Sequence, residues 1–135
     1  MSEKRVARVI PIVPQGKSAS SSGTNLEFRH PPPLSLYVHI PWCVQKCPYC
    51  DFNSHEVRGG IPEDDYVAAL IADLESALPL VWGRKISSIF FGGGTPSLLS
   101  GPAIDTLLTA IRTLLPVLPD AEITLEANPG TVEAD

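Results

Sequence analysis

Between residues 34 and 126, three short apolar runs alternate with two stretches of helical period, and that order restricts the fold more than any other feature. Leu36, Val38 and Ile40 alternate with Ser35, Tyr37 and His39 until Pro41 closes the run, which is the period of a strand. After Gly59-Gly60, Pro62 suits a first helical turn, and Glu63, Asp64 and Asp65 lie where the helix dipole favours negative charge. Tyr66, Leu70, Leu74 and Leu78, widened by Val67 and Ile71, form one apolar stripe, and Pro79 is expected to stop the helix. Ile86 to Phe91 reads as a buried strand. A second helix is expected from Ser100-Gly101-Pro102, with Ile104, Leu107, Leu108, Ile111 and Leu115 on its stripe and Pro116 at its end. Glu122 to Glu126 makes a third strand, and Asn128-Pro129-Gly130 a turn. The order βαβαβ predicts an α/β fold with a parallel sheet and right-handed crossovers. Its strands then end on one side, the side on which α/β folds assemble their sites.

The chain has 135 residues, 44% of them hydrophobic, enough for one domain with a core. Residues 1–33 differ: they hold Pro11, Pro14, a Ser-rich run at 18–23 and Pro31-Pro32-Pro33, and predict a flexible tail ahead of a core at 34–135. Residues 1–30 are net +3 and the remainder net −8, so the main body carries no footprint for nucleic acid. No apolar run reaches the roughly 18 residues a membrane helix needs, and the N-terminus lacks the regions of a secretory signal. A basic, Ser-rich N-terminus also suits a transit peptide, but Glu3, Glu27 and the missing amphipathic stripe favour a cytoplasmic protein.

Three cysteines, Cys43, Cys47 and Cys50, fall within eight residues of YVHIPWCVQKCPYCDF, and the chain has no other. An odd, tight cluster points to metal or redox chemistry rather than to disulfides. Three thiolates leave one iron of a four-iron cluster open to a small molecule. Structural zinc needs a fourth ligand, which His39 or His55 could supply, so a zinc-stabilised binding module stays open at this point. Gly92 to Gly94 also suit a tight strand-to-helix turn, Tyr37 and Tyr49 also suit packing, and Glu126 suits a solvated strand end.

The Cys43-x3-Cys47-x2-Cys50 spacing, with Tyr49 before the last cysteine, resembles the signature of the radical S-adenosylmethionine (SAM) superfamily. Tyr37 to Cys43, Phe91-Gly92-Gly93-Gly94-Thr95-Pro96 and Glu126-Ala127-Asn128-Pro129 are similar to its branch of oxygen-independent coproporphyrinogen III oxidases and HemW-type haem chaperones. The resemblance covers residues 34–135 and implies the first βαβαβ part of a partial (β/α)6 barrel. It implies a 4Fe-4S cluster on Cys43, Cys47 and Cys50, whose open iron takes the amino and carboxylate groups of SAM. In the family it resembles, one electron from the reduced cluster then cleaves a carbon–sulfur bond of the cofactor. Gly93, Gly94 and Thr95 would receive the methionine end, Glu126 the ribose hydroxyls, and Tyr49 the adenine, with Tyr37 lining the pocket.

The oxidase branch carries a further cysteine two positions after the third, where this chain has Phe52. That departure favours a haem chaperone over the oxidase that converts two propionates of coproporphyrinogen III to vinyl groups. Haem or a porphyrin, haem acceptor proteins and an electron donor are the implied partners. The resemblance further implies that the barrel continues past Asp135, so a fragment exposing a strand edge and apolar helix faces is expected.

Overall fold

A computed structural model describes residues 31–132; the expected tail at 1–33 lies outside the described residues except for Pro31, Pro32 and Pro33, which are exposed. The described elements run β1 (Leu34–Ile40), β2 (Trp42–Cys43), β3 (His55–Glu56), α1 (Glu63–Val81), β4 (Ile86–Gly93), a 3-10 turn (Pro96–Leu98), α2 (Gly101–Leu114), β5 (Val117–Leu125) and α3 (Pro129–Val132).

β1, β4 and β5 form one parallel sheet in the order β1-β4-β5, as the βαβαβ alternation requires. The register sets Leu36, Val38 and Ile40 beside Ile89, Phe91 and Gly93, and Ile123 and Leu125 beside Ile89 and Phe91. Because strand side chains alternate between faces, this pairing gathers the apolar set on one side. Val38, Ile40, Ile89 and Phe91 are buried there with Val67 of α1 and Ala103, Leu107 and Ile111 of α2. The other face carries Ser35, Tyr37 and His39, paired with Ser88, Phe90 and Gly92.

The N-termini of both helices are tied together. Ser100 caps α2 by accepting a hydrogen bond from the Ala103 N–H, and its own N–H and hydroxyl donate to the Glu63 carboxylate at 2.8 and 2.7 Å. Glu63, Asp64 and Asp65 occupy the first turn of α1 as expected, with Pro62 as the cap residue.

Three elements depart from expectation. α1 does not stop at Pro79 but contains it and continues to Val81. A proline in a last turn loses only one helical hydrogen bond, a small cost where the next residues, Leu80 and Trp82, are 84% and 82% exposed. β5 begins at Val117, five residues before the apolar run that revealed it, because Ile86 pairs with Val117 ahead of a register shift that carries Pro119 and Asp120. Asn128-Pro129-Gly130 starts the one-turn α3 rather than a simple turn. Asn128 Oδ1 accepts the Gly130 N–H at 3.1 Å, a cap with proline at the first helical position.

Candidate cofactor site

The C-terminal ends of the three parallel strands bring the three unusual segments to one edge of the sheet. The cysteine loop leaves β1 through Pro41, the glycine segment ends β4, and Glu126 follows β5. Backbone hydrogen bonds join them: Gly94 N–H donates to Ile40 O at 2.7 Å, Thr95 N–H to Trp42 O at 2.6 Å, and Glu126 N–H to Phe91 O at 3.1 Å. Gly93 N–H also donates to the Glu126 carboxylate at 3.3 Å. A hollow of about 340 Å³ lies at this edge, lined by Gly94, Thr95, Glu126, Ala127, Asn128 and Pro129.

The glycines are required by the protein's own packing. Gly93 has φ +117°, and a Cβ on it would lie 2.6 Å from His39 Cε1. A Cβ on Gly94 would collide with the Trp42 carbonyl and come within 3.0 Å of Cys43 Sγ. This segment therefore lets the cysteine-bearing backbone lie directly on the end of β4, and Cys43 faces Gly94 for that reason.

Within the loop, Trp42-Cys43 pairs in parallel with His55-Glu56, and His55 N–H donates to Pro41 O at 2.6 Å and Val57 N–H to Cys43 O at 2.9 Å. Cys43 and Cys50 are half-buried and Cys47 is exposed. Cys50 lies in contact with Ser54, Sγ to Oγ 3.5 Å. That hydrogen bond, followed by one from the backbone at Phe52, holds the Cys50 thiol below the usual thiol range. The Tyr49 hydroxyl is raised, first by its hydrogen bond with Cys47 and then by the Cys47 charge. Tyr49 is 84% exposed and Phe52 72%. Among the described residues no three His, Cys, Asp or Glu side chains converge as a preformed metal centre.

Tyr37 lies on the open face of the sheet, stacked on Phe90 with ring centroids 6.1 Å apart. Its hydroxyl is 3.0 Å from His39 Nδ1, and His39 Nε2 is 2.8 Å from Asn53 O. A carbonyl only accepts, so Nε2 carries a proton and donates to Asn53 O. Tyr66, its hydroxyl pKa raised chiefly by burial, donates to His39 O at 2.7 Å.

The structure thus brings Gly93, Gly94, Thr95 and Glu126 together beside Cys43, sets Tyr37 one strand away, and leaves Tyr49 and Cys47 on the outer part of the loop. His39 joins that loop to the sheet through Asn53 O, and Ser54 bonds within the loop; Asn53 and Ser54 were not among the candidates, and His39 was one only as a possible zinc ligand. For His39 a signal was present, since it alternates in phase with Tyr37 on β1; for Ser54 none was, because its burial is a tertiary property. Both histidines that a zinc site could borrow are already engaged, His39 at both ring nitrogens and His55 Nε2 by Asn53 Oδ1 at 3.1 Å.

The donor chemistry fits an iron–sulfur cluster: three thiols in one loop, one of them poised to ionise, beside a segment of free backbone approach. Comparison with known proteins agrees. The family model described as the radical SAM superfamily matches residues 37–135. The chain is 66% identical over 104 residues to the haem chaperone HemW of Escherichia coli, covering 77% of this chain and 28% of that protein. It is 41% identical over 95 residues to the mitochondrial radical S-adenosyl methionine domain-containing protein 1 of Bos taurus, 70% of this chain and 21% of that one. Among solved structures, the E. coli coproporphyrinogen III oxidase HemN, described as a radical SAM enzyme, superposes with a TM-score of 0.68 at 38% identity, over 76% of this chain and 23% of the other. The chain spans about a quarter of the length of these relatives. With a family model matched across its parallel sheet and cysteine loop, the chain belongs to the radical SAM superfamily.

Proposed function

We propose that residues 34–135 form the N-terminal part of the cofactor-binding core of a haem chaperone of HemW type. The observation that carries this reading is the meeting of the three strand-end segments at one edge, where Thr95 N–H bonds Trp42 O and Gly93 N–H bonds Glu126. Identity of 66% to a haem chaperone supports it, as does Phe52 in the place of the oxidase's further cysteine. Cys43, Cys47 and Cys50 would hold a 4Fe-4S cluster, Gly93, Gly94 and Thr95 would receive the methionine end of SAM, Glu126 its ribose, and Tyr49 its adenine. When bound, cluster and SAM supply an open-iron site for one-electron chemistry.

The chain's own residues prepare this site. Ser54 and the Phe52 backbone favour the Cys50 thiolate, the form a metal requires. Gly94 and the Thr95–Trp42 bond hold Cys43 at the sheet edge. His39 anchors the return of the loop through Asn53 and orients Tyr37 on the open face. Haem or a porphyrin, haem acceptor proteins and an electron donor are the proposed partners, and the cytoplasm the proposed compartment.

The test is anaerobic reconstitution with iron and sulfide, then electron paramagnetic resonance of the reduced protein with and without SAM, and haem titration of the complete protein. A reduced four-iron signal that changes with SAM, together with a saturable Soret shift, is expected. Iron binding without any Soret shift would refute the chaperone reading. The likeness to HemN favours one second reading, a coproporphyrinogen III oxidase; it requires carbon dioxide release from that substrate under anaerobic assay.

A further inference from the structure

Ser54 is the most deeply buried polar side chain among the described residues, 0% exposed. A buried hydroxyl needs a hydrogen-bond partner or costs stability. Two atoms are in reach: Phe52 O at 3.5 Å and Cys50 Sγ at 3.5 Å. For an O–H···O bond that distance is too long to be strong, whereas the larger sulfur atom accepts well at that separation. The backbone that carries the hydroxyl is also held in place. Ser54 N–H donates to Phe52 O at 2.7 Å, Asn53 O accepts from His39 on one side, and His55 N–H donates to Pro41 O on the other.

We propose that Ser54 is a positioning residue for the cluster: its hydroxyl donates to the Cys50 sulfur, sets the direction of that ligand, and raises the reduction potential of the bound cluster. The inference rests on the assignment of Cys50 as a cluster ligand. A ligating thiolate has no proton, so the sulfur can only accept and the hydroxyl must donate. Reduction adds negative charge that is shared by the sulfur ligands, so a donor to sulfur favours the reduced state. Sequence spacing alone does not assign this role, because it depends on the loop folding Ser54 back over Cys50.

The experiment compares the intact wild-type protein with Ser54→Ala and Ser54→Thr after anaerobic reconstitution, by redox titration monitored by electron paramagnetic resonance and by pulsed proton resonance of the reduced cluster. Ser54→Ala is expected to move the midpoint to more negative potential, changing the reduced-to-oxidised ratio at fixed potential by about tenfold, the order of a hydrogen bond to a charged group. It should also lose one exchangeable proton coupling, while Ser54→Thr keeps both wild-type properties. A Ser54→Ala protein with the wild-type midpoint and coupling overturns the proposal. If Ser54→Ala takes up no cluster, Ser54→Thr decides: the exchangeable coupling present supports it, absent overturns it. A wild-type protein that binds no iron fails earlier, and removes the cluster assignment together with this inference.

Discussion

The glycines at the end of β4 show how single residues are chosen by the backbone beside them. At Gly94 the obstacle to a side chain is the Trp42 carbonyl, which cannot move without lifting Cys43. Gly94→Ala should therefore destabilise the fold by about 1–3 kcal/mol, the range for forced overpacking, read as a lower urea midpoint. Gly101, in the first turn of α2 with nothing within 4 Å of a Cβ, is the control. Gly101→Ala should be neutral or stabilise by up to about 1 kcal/mol. The Cys50 thiol supplies a pH-dependent prediction. Its pKa is lowered by the Ser54 hydrogen bond, so the thiolate persists to lower pH than for an ordinary thiol. Thiolate absorbance of the metal-free protein should begin to rise below the ordinary thiol range, and Cys50→Ser should lose that early part of the rise.

At the scale of elements, the apolar stripes and β-branched runs were enough to place α1, α2 and the three strands of the main sheet, but not their ends. Pro79 was a poor stop signal because a helix end exposed to solvent tolerates a missing hydrogen bond. Pro119 and Asp120 hid the first half of β5, whose pairing to Ile86 no local pattern reveals. The Ser100 cap was visible as a serine ahead of Gly-Pro, whereas its second partner, Glu63 from the start of α1, was not. Ser100→Ala should cost about 1 kcal/mol from the cap alone, and more because it also strips a donor from Glu63. Thermal unfolding checks this, with Glu63→Gln expected to fall between wild type and Ser100→Ala.

Over the whole molecule, β1 and β5 are the edges of the described sheet, and Ile123 and Leu125 on β5 are 40% and 37% exposed. An edge strand with open apolar side chains favours association between copies. Sedimentation of this chain should show concentration-dependent self-association, which Ile123→Lys reduces; a monomer at all concentrations would contradict it. No helix among the described residues is long and apolar enough to cross a membrane.

By itself the sequence determined the αβ alternation, hence the parallel sheet, and the order along the chain of the cysteine loop, glycine segment and Glu126 that follow its strands. Those properties are local: periodicity, ligand spacing and strand order are written in consecutive residues. Only the tertiary structure decided what the glycines make room for, that Glu126 bonds Gly93, that His39 bridges Tyr37 and Asn53, and that Ser54 is buried against Cys50. Each of these depends on backbone from a distant strand or a folded-back loop arriving at hydrogen-bond distance, and no pattern along the chain encodes that arrival.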